Sequence, residues 1–83
     1  MLVYSMNNLA YAYAEDGDFG SALETIDKAI KIDSTLINSF DSKGEILYMA
    51  GKNEDALKVW ELIQVKDPFY VKNAWVEKAA VAP

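Results

Sequence analysis

The 83-residue sequence predicts an all-α chain of about five helices, built from stacked antiparallel helix–turn–helix repeats. Two observations carry that expectation. Landmarks recur at one period: Gly17 and Gly51, Ala22-Leu23 and Ala56-Leu57, Asp33 and Asp67 are each separated by 34 positions. Between these landmarks apolar residues fall at helical spacing, as in Ala22, Ile26, Ala29 and Ile30, the pattern that turns one stripe of a helix inward. No alternating run is long enough for a convincing strand.

The first helix, about 2–15, is expected to turn Leu2, Met6, Leu9, Ala10 and Tyr13 to one side. Asp16-Gly17-Asp18 ends it, with Gly17 at the left-handed C-terminal position and Asp18 free to cap the next helix. The second helix then runs over about 19–32. The third, about 36–50, places Phe40, Gly44 and Leu47 inward and stops at Gly51. Asn53 is expected to cap the fourth, about 53–66, whose inward positions are Ala56, Trp60 and Ile63. Asp67-Pro68 reads as a cap residue followed by proline at a first helical position, so a fifth helix is expected over about 69–80. Glu24–Lys28, Asp27–Lys31 and Glu54–Lys58 are i, i+4 pairs in the favoured order.

Composition narrows the function. Eighty-three residues make one small domain, 1–83. Eight Lys, thirteen acidic residues and a net charge of −5 disfavour nucleic acid, whose phosphates repel an acidic protein. Lys66 and Lys72 beside Phe69 and Tyr70 are too few to reverse that. With neither Cys nor His in the chain, thiol and imidazole catalysis and the corresponding metal ligands are excluded. The N-terminus lacks a basic start, Asn7-Asn8 interrupt its apolar run, and no stretch approaches the length of a membrane span. A cytoplasmic chain with no membrane partner is the expectation.

Direct catalysis finds no support in the remaining residue types. Asp41 and Glu45 lie one helical turn apart, as paired carboxylates for acid–base work would, but a solvated acidic strip is the simpler reading. The serines have no imidazole partner. Gly17-Asp18-Phe19-Gly20 lacks the strand and Lys of a phosphate loop, and Asp16-Gly17-Asp18 lacks the spacing of a calcium loop. No enzyme activity, cofactor or metal is expected.

The 34-residue helix–turn–helix unit resembles the tetratricopeptide repeat. Two full units span about 3–36 and 37–70, and a capping or third-repeat helix follows over about 69–80. The residues that carry the resemblance are Leu9, Ala10, Tyr13, Gly17, Ala22 and Ala29 in the first unit. Phe40, Gly44, Gly51, Ala56, Trp60 and Pro68 carry it in the second. The second unit departs at Lys43, where an apolar residue is usual, at Asn53, where an aromatic is usual, and at Ile63, where Ala is preferred and looser or shifted packing is therefore expected.

The resemblance implies a short right-handed α-solenoid whose first helices line a concave groove. It also implies a scaffold-like, protein-binding role. The groove residues would be Tyr4, Asn7, Asn8 and Tyr11 from the first helix and Asp41, Ser42, Glu45 and Tyr48 from the third. Lys72 joins them, with Trp75 and Val76 beside it. Asn side chains can pin a peptide backbone and Tyr adds amphipathic area. Some family members clamp a C-terminal carboxylate of chaperone tails with Lys, Asn and Arg. Here Asn7 and Tyr11 stand where Lys and Asn would be needed, Ser42 where Asn would be and Val76 where Arg would be; only Lys72 agrees. No such clamp is expected, and the acidic groove favours a basic or neutral peptide. The alternatives are a self-assembling module, forming a homo-dimer through the abruptly apolar N-terminal edge, and a regulatory part of a larger enzyme or sensor. The chain could equally be a piece of a longer repeat array.

Overall fold

The computed structural model describes residues 2–81 and contains five α-helices and no strand among them. The expected domain of 1–83 therefore extends past both ends of the described residues. The helices are α1 (Leu2–Glu15), α2 (Phe19–Ile32), α3 (Ile37–Met49), α4 (Asn53–Lys66) and α5 (Ala74–Val81). α1 packs on α2 and α3 on α4, while α2 meets α3 and α4 meets α5. α3 also lies against both α1 and α5, so the odd-numbered helices form a row. The result is a slab of 31 × 28 × 15 Å, helical and repeat-like.

The 34-residue period governs the backbone as well as the sequence. Gly17 and Gly51 have φ of 82° and 79°, the two positive values among the described residues. Around each glycine the same two bonds close the helix: the Gly17 amide reaches the Ala14 carbonyl and the Asp18 amide reaches Tyr13, as Gly51 reaches Tyr48 and Lys52 reaches Leu47. This is the Schellman arrangement, which needs a left-handed residue and so favours glycine. Asp33 and Asp67 end the second helix of each unit with φ of −147° in both. Each then turns its carboxylate back to the amide two residues on, at Thr35 and at Phe69.

The boundaries of α1, α2 and α4 agree with expectation, and α3 is one residue shorter at each end. The caps divide. The Asp18 carboxylate accepts the Ser21 amide at 3.1 Å, as expected, and hydrogen bonding by Ser21 holds it below the usual carboxylate range. Asn53 does not cap α4; Lys52 occupies that position without a side-chain bond, and Asn53 is the first helical residue. Asp67-Pro68 does not start the fifth helix. Asp67 closes α4, Pro68 sits in the following turn, and α5 begins at Ala74. Aromatic and β-branched residues at Phe69, Tyr70 and Val71 are weak helix formers, and the Asp67 carboxylate commits the chain to a turn.

Two apolar clusters form the core. The first joins Val3, Ala10, Ala14, Ala22, Ile26 and Ala29 with Ile46 from α3. The second joins Phe40, Leu47, Ala56, Val59 and Ile63 with Trp75 and Val76 from α5. Leu23 touches both. The small residues Ala10, Ala22, Ala29 and Ala56 are fully buried, so helices approach closely there. Ile63, where looser or shifted packing was expected, is fully buried too. Tyr13 and Trp60 are half-buried at the edges of their clusters.

The inward face of α1 differs from the expected one. Val3, Asn7, Ala10 and Ala14 are buried, whereas Leu2 and Leu9 are exposed. α1 is apolar almost all round, so spacing alone fits more than one register. The observed one is chosen by Asn7, whose buried amide oxygen accepts the Ser39 hydroxyl; a buried polar group is tolerated when bonded.

Ion pairing also departs from the helix-local pattern. Glu24–Lys28 is present at 3.4 Å. Lys58 instead reaches Asp55 at 4.0 Å, and Asp27 is taken by Lys43 at 2.7 Å. The last pair explains the polar residue at position 43: its ammonium crosses from the second unit to a carboxylate on the first. Lys66 lies over the Phe40 ring, 5.1 Å from its centre, a cation–π contact.

Candidate functional site

Hydrogen bonds across the row α1, α3, α5 engage three of the expected groove residues of α1 and α3, Asn7, Tyr11 and Glu45, and a fourth, Asp41, toward α5. Tyr11 on α1 donates its hydroxyl to Glu45 on α3 at 2.6 Å. Asn7 on α1 meets Ser39 on α3. Both bonds advance in the same direction along the two helices, so α1 and α3 run parallel. On the next step of the row, Asp41 on α3 accepts from Asn73 and from the Trp75 indole. The Tyr70 hydroxyl is a third donor, at 3.0 Å. Asn7–Ser39 and Asp41–Asn73 are the same contact displaced by one repeat.

Asp41 is therefore a latch for the closing segment. A carboxylate offers about four acceptor sites, and three donors from 70–75 converge on this one. The Trp75 ring lies flush against Gly44, where even a methyl group would collide with the indole. Glycine at 44 is thus required by proximity. Burial, with the nearby Asp41 charge, pushes the Tyr70 hydroxyl above its ordinary range.

The expected groove residues separate by burial. Tyr4, Asn8 and Lys72 are exposed; Tyr11, Asp41, Glu45 and Tyr48 are half-buried; Asn7 and Ser42 are buried. Asn7 is engaged with Ser39 and is placed to hold helices together. Asp41 and Glu45 bring negative charge to this side of the slab, but much of their bonding capacity is already used within the chain. The face that remains open combines Tyr4, Asn8 and Tyr11, at i, i+4 and i+7 on α1, with Glu45 and Tyr48 on α3. Lys72 is exposed on the non-helical segment that leads into α5.

The Asp41 and Glu45 carboxylates face different donors, Tyr70, Asn73 and Trp75 for the one and Tyr11 for the other. Among the described residues no group of three metal-binding side chains is close enough to hold an ion. No helix among them is long and apolar enough to cross a membrane. Two surface hollows lie at Gly51–Asp55 and around Thr35, Ile37, Lys66 and Asp67.

Tyr11 gives this site a pH signature. Burial, then the bond to Glu45, pushes its hydroxyl far above the ordinary 10.0. The folded chain holds this proton more tightly than the unfolded chain, so the linked stability is intact below pH 10 and falls as pH rises past it. Alkaline denaturation of Tyr11→Phe is expected to lose part of the wild-type's pH dependence above that point. Loss of the hydrogen bond costs the variant about 0.5–1.5 kcal/mol at neutral pH. Denaturant titrations at a series of pH values check both.

Sequence reasoning missed the latch because it took Asp41 as a groove residue and 69–80 as continuous helix. A signal was present. Trp75 stands 34 positions after Asp41, just as Glu45 follows Tyr11, so the period itself pairs them.

No family model, no curated protein and no solved structure matches the chain.

Proposed function

We propose that the chain is a non-enzymatic protein-interaction module of the tetratricopeptide kind, receiving a peptide or an extended protein segment along the open face of the α1–α3–α5 row. The supporting observation is the in-phase pairing across that row, Tyr11 to Glu45 and Asp41 to Trp75, each spanning 34 positions. A row of helices related by one repeat displays side chains at regular intervals, which suits an extended ligand. Tyr4 and Asn8 supply amphipathic area and amide bonding. Glu45, with Asp41 behind it, favours a basic or neutral ligand. Asn7 and Ser42 are buried and are left out of the contact set.

The test is an immobilised peptide library graded in net charge, probed with the full chain and with a Tyr4→Ala, Asn8→Ala double variant. Both replaced residues are exposed, so the fold is expected to persist. The reading predicts capture of basic and neutral peptides, weakened on the order of tenfold or more in the variant, the effect of losing one or two central contacts. Unchanged capture by the variant, or none by the wild-type chain, would refute it.

A further inference from the structure

The outer side of α1 carries a pattern that the peptide-binding reading does not use. Leu2, Ser5, Leu9 and Ala12 are all exposed, Leu2 by 62% and Leu9 by 48%. Their spacing of three, four and three residues traces one seam along the helix, the a and d positions of a heptad. One repeat later the same register positions are Leu36, Ser39, Lys43 and Ile46. Those residues seat α3 on the first hairpin: Ser39 and Ile46 are fully buried, Leu36 packs against the first cluster, and Lys43 pairs with Asp27. The α1 seam is thus built at interface positions, with apolar Leu9 in place of charged Lys43, yet nothing among the described residues covers it.

Two observations identify its occupant. The first is size. If a second α1 lies antiparallel across the seam, with the two-fold axis level with residue 7, Leu2 of one copy faces Ala12 of the other and Leu9 faces Ser5. Every large side chain then meets a small one, the interdigitation that close helix packing requires. A two-fold contact uses the same patch on both copies, so a self-complementary pattern is its signature. The second is charge. The chain carries −5 overall, but Glu15 is the only charged residue of α1, and it falls beyond the overlap. Two acidic copies can meet here without facing like charges. The opposite end of the stack is unsuitable: Lys78 of α5 occupies the position where α1 has Ala10 and α3 has Gly44, and it is exposed. A long cation there resists the close approach that Gly44 allows to Trp75.

We infer that the chain forms a two-fold homodimer through the α1 seam, with Leu2 and Leu9 of each copy set against Ala12 and Ser5 of the other. This stands apart from the peptide-binding reading, because Tyr4→Ala and Lys72→Ala lie off the seam and should leave the assembly intact. A contact of one helix pair is small, so the dimer is weak and concentration-dependent.

Light scattering of the full chain over a concentration series is the first test. The mass should rise from 9.3 kDa toward twice that value as the protein approaches about 1 mM, the range of weak association. Leu9→Glu, at a half-exposed site, should keep its helical circular dichroism and remain at the monomer mass throughout. The register is tested by disulfide trapping, since the natural chain has no cysteine. A mixture of Ser5→Cys and Leu9→Cys chains should give the mixed dimer, while Ser5→Cys with Lys78→Cys should not. A wild-type monomer at the highest concentration, a Leu9→Glu dimer as strong as wild type, or preferential trapping through position 78 would each overturn the inference.

Discussion

Trp75→Ala is expected to destabilise the chain by about 3–5 kcal/mol, the usual cost of removing a buried Trp. Three losses coincide at this residue. The indole is 5% exposed and helps to form the second cluster. Its ring covers Gly44, so truncation opens a cavity against the α3 backbone. Its N–H is one of the three donors on Asp41, and removing it weakens the anchoring of 70–75. For a domain of this size, whose whole stability is typically about 5–15 kcal/mol, the change approaches global unfolding. Urea titration followed by circular dichroism measures it. The reciprocal change, Gly44→Ala, should push the same ring outward at a cost of about 1–3 kcal/mol, as overpacking does. A Trp75→Ala loss below about 1 kcal/mol, the range of ordinary surface changes, would mean that α5 contributes little to the fold.

Ile46→Ala is expected to cost about 2–5 kcal/mol, and its effect should reach both units. Ile46 belongs to α3, yet it is fully buried in the cluster made by α1 and α2. With Leu23, which touches both clusters, it forms the apolar bridge between the hairpins, as Lys43–Asp27 forms an ionic one. Removing it leaves a cavity on the first hairpin and frees the second to separate. Amide exchange should therefore accelerate in α1–α2 as well as α3–α4. A control at Ile32, which is 53% exposed, should stay within about 0.5 kcal/mol of wild type.

Much of this architecture is legible in the sequence because it rests on short-range chemistry. Glycines at 17 and 51 are read directly, since a left-handed helix end favours glycine. Buried Ala22 and Ala56 follow from their recurrence at one period. What escaped reading depends on contacts between distant residues. The register of α1 is decided by Asn7 meeting Ser39, so Leu9 looked like core and is not. The late start of α5 follows from the Asp67 turn and from Tyr70 and Asn73 reaching back to Asp41. Asp67-Pro68 suits either a helix start or a turn, and tertiary bonds make the choice. The candidate site was half legible for the same reason: its residue types were visible, but whether each faced a ligand or a neighbouring helix was not.

The central claim is that α5 continues the row begun by α1 and α3, with Trp75 seated on Gly44 one repeat beyond the preceding contact. Through-space NMR contacts between the Trp75 ring protons and the Gly44 α-protons test it most directly. The arrangement predicts strong cross-peaks and Gly44 α-protons displaced upfield by the indole ring current. A Trp75 ring with no contact to Gly44, and Gly44 shifts typical of an open helix, would contradict it.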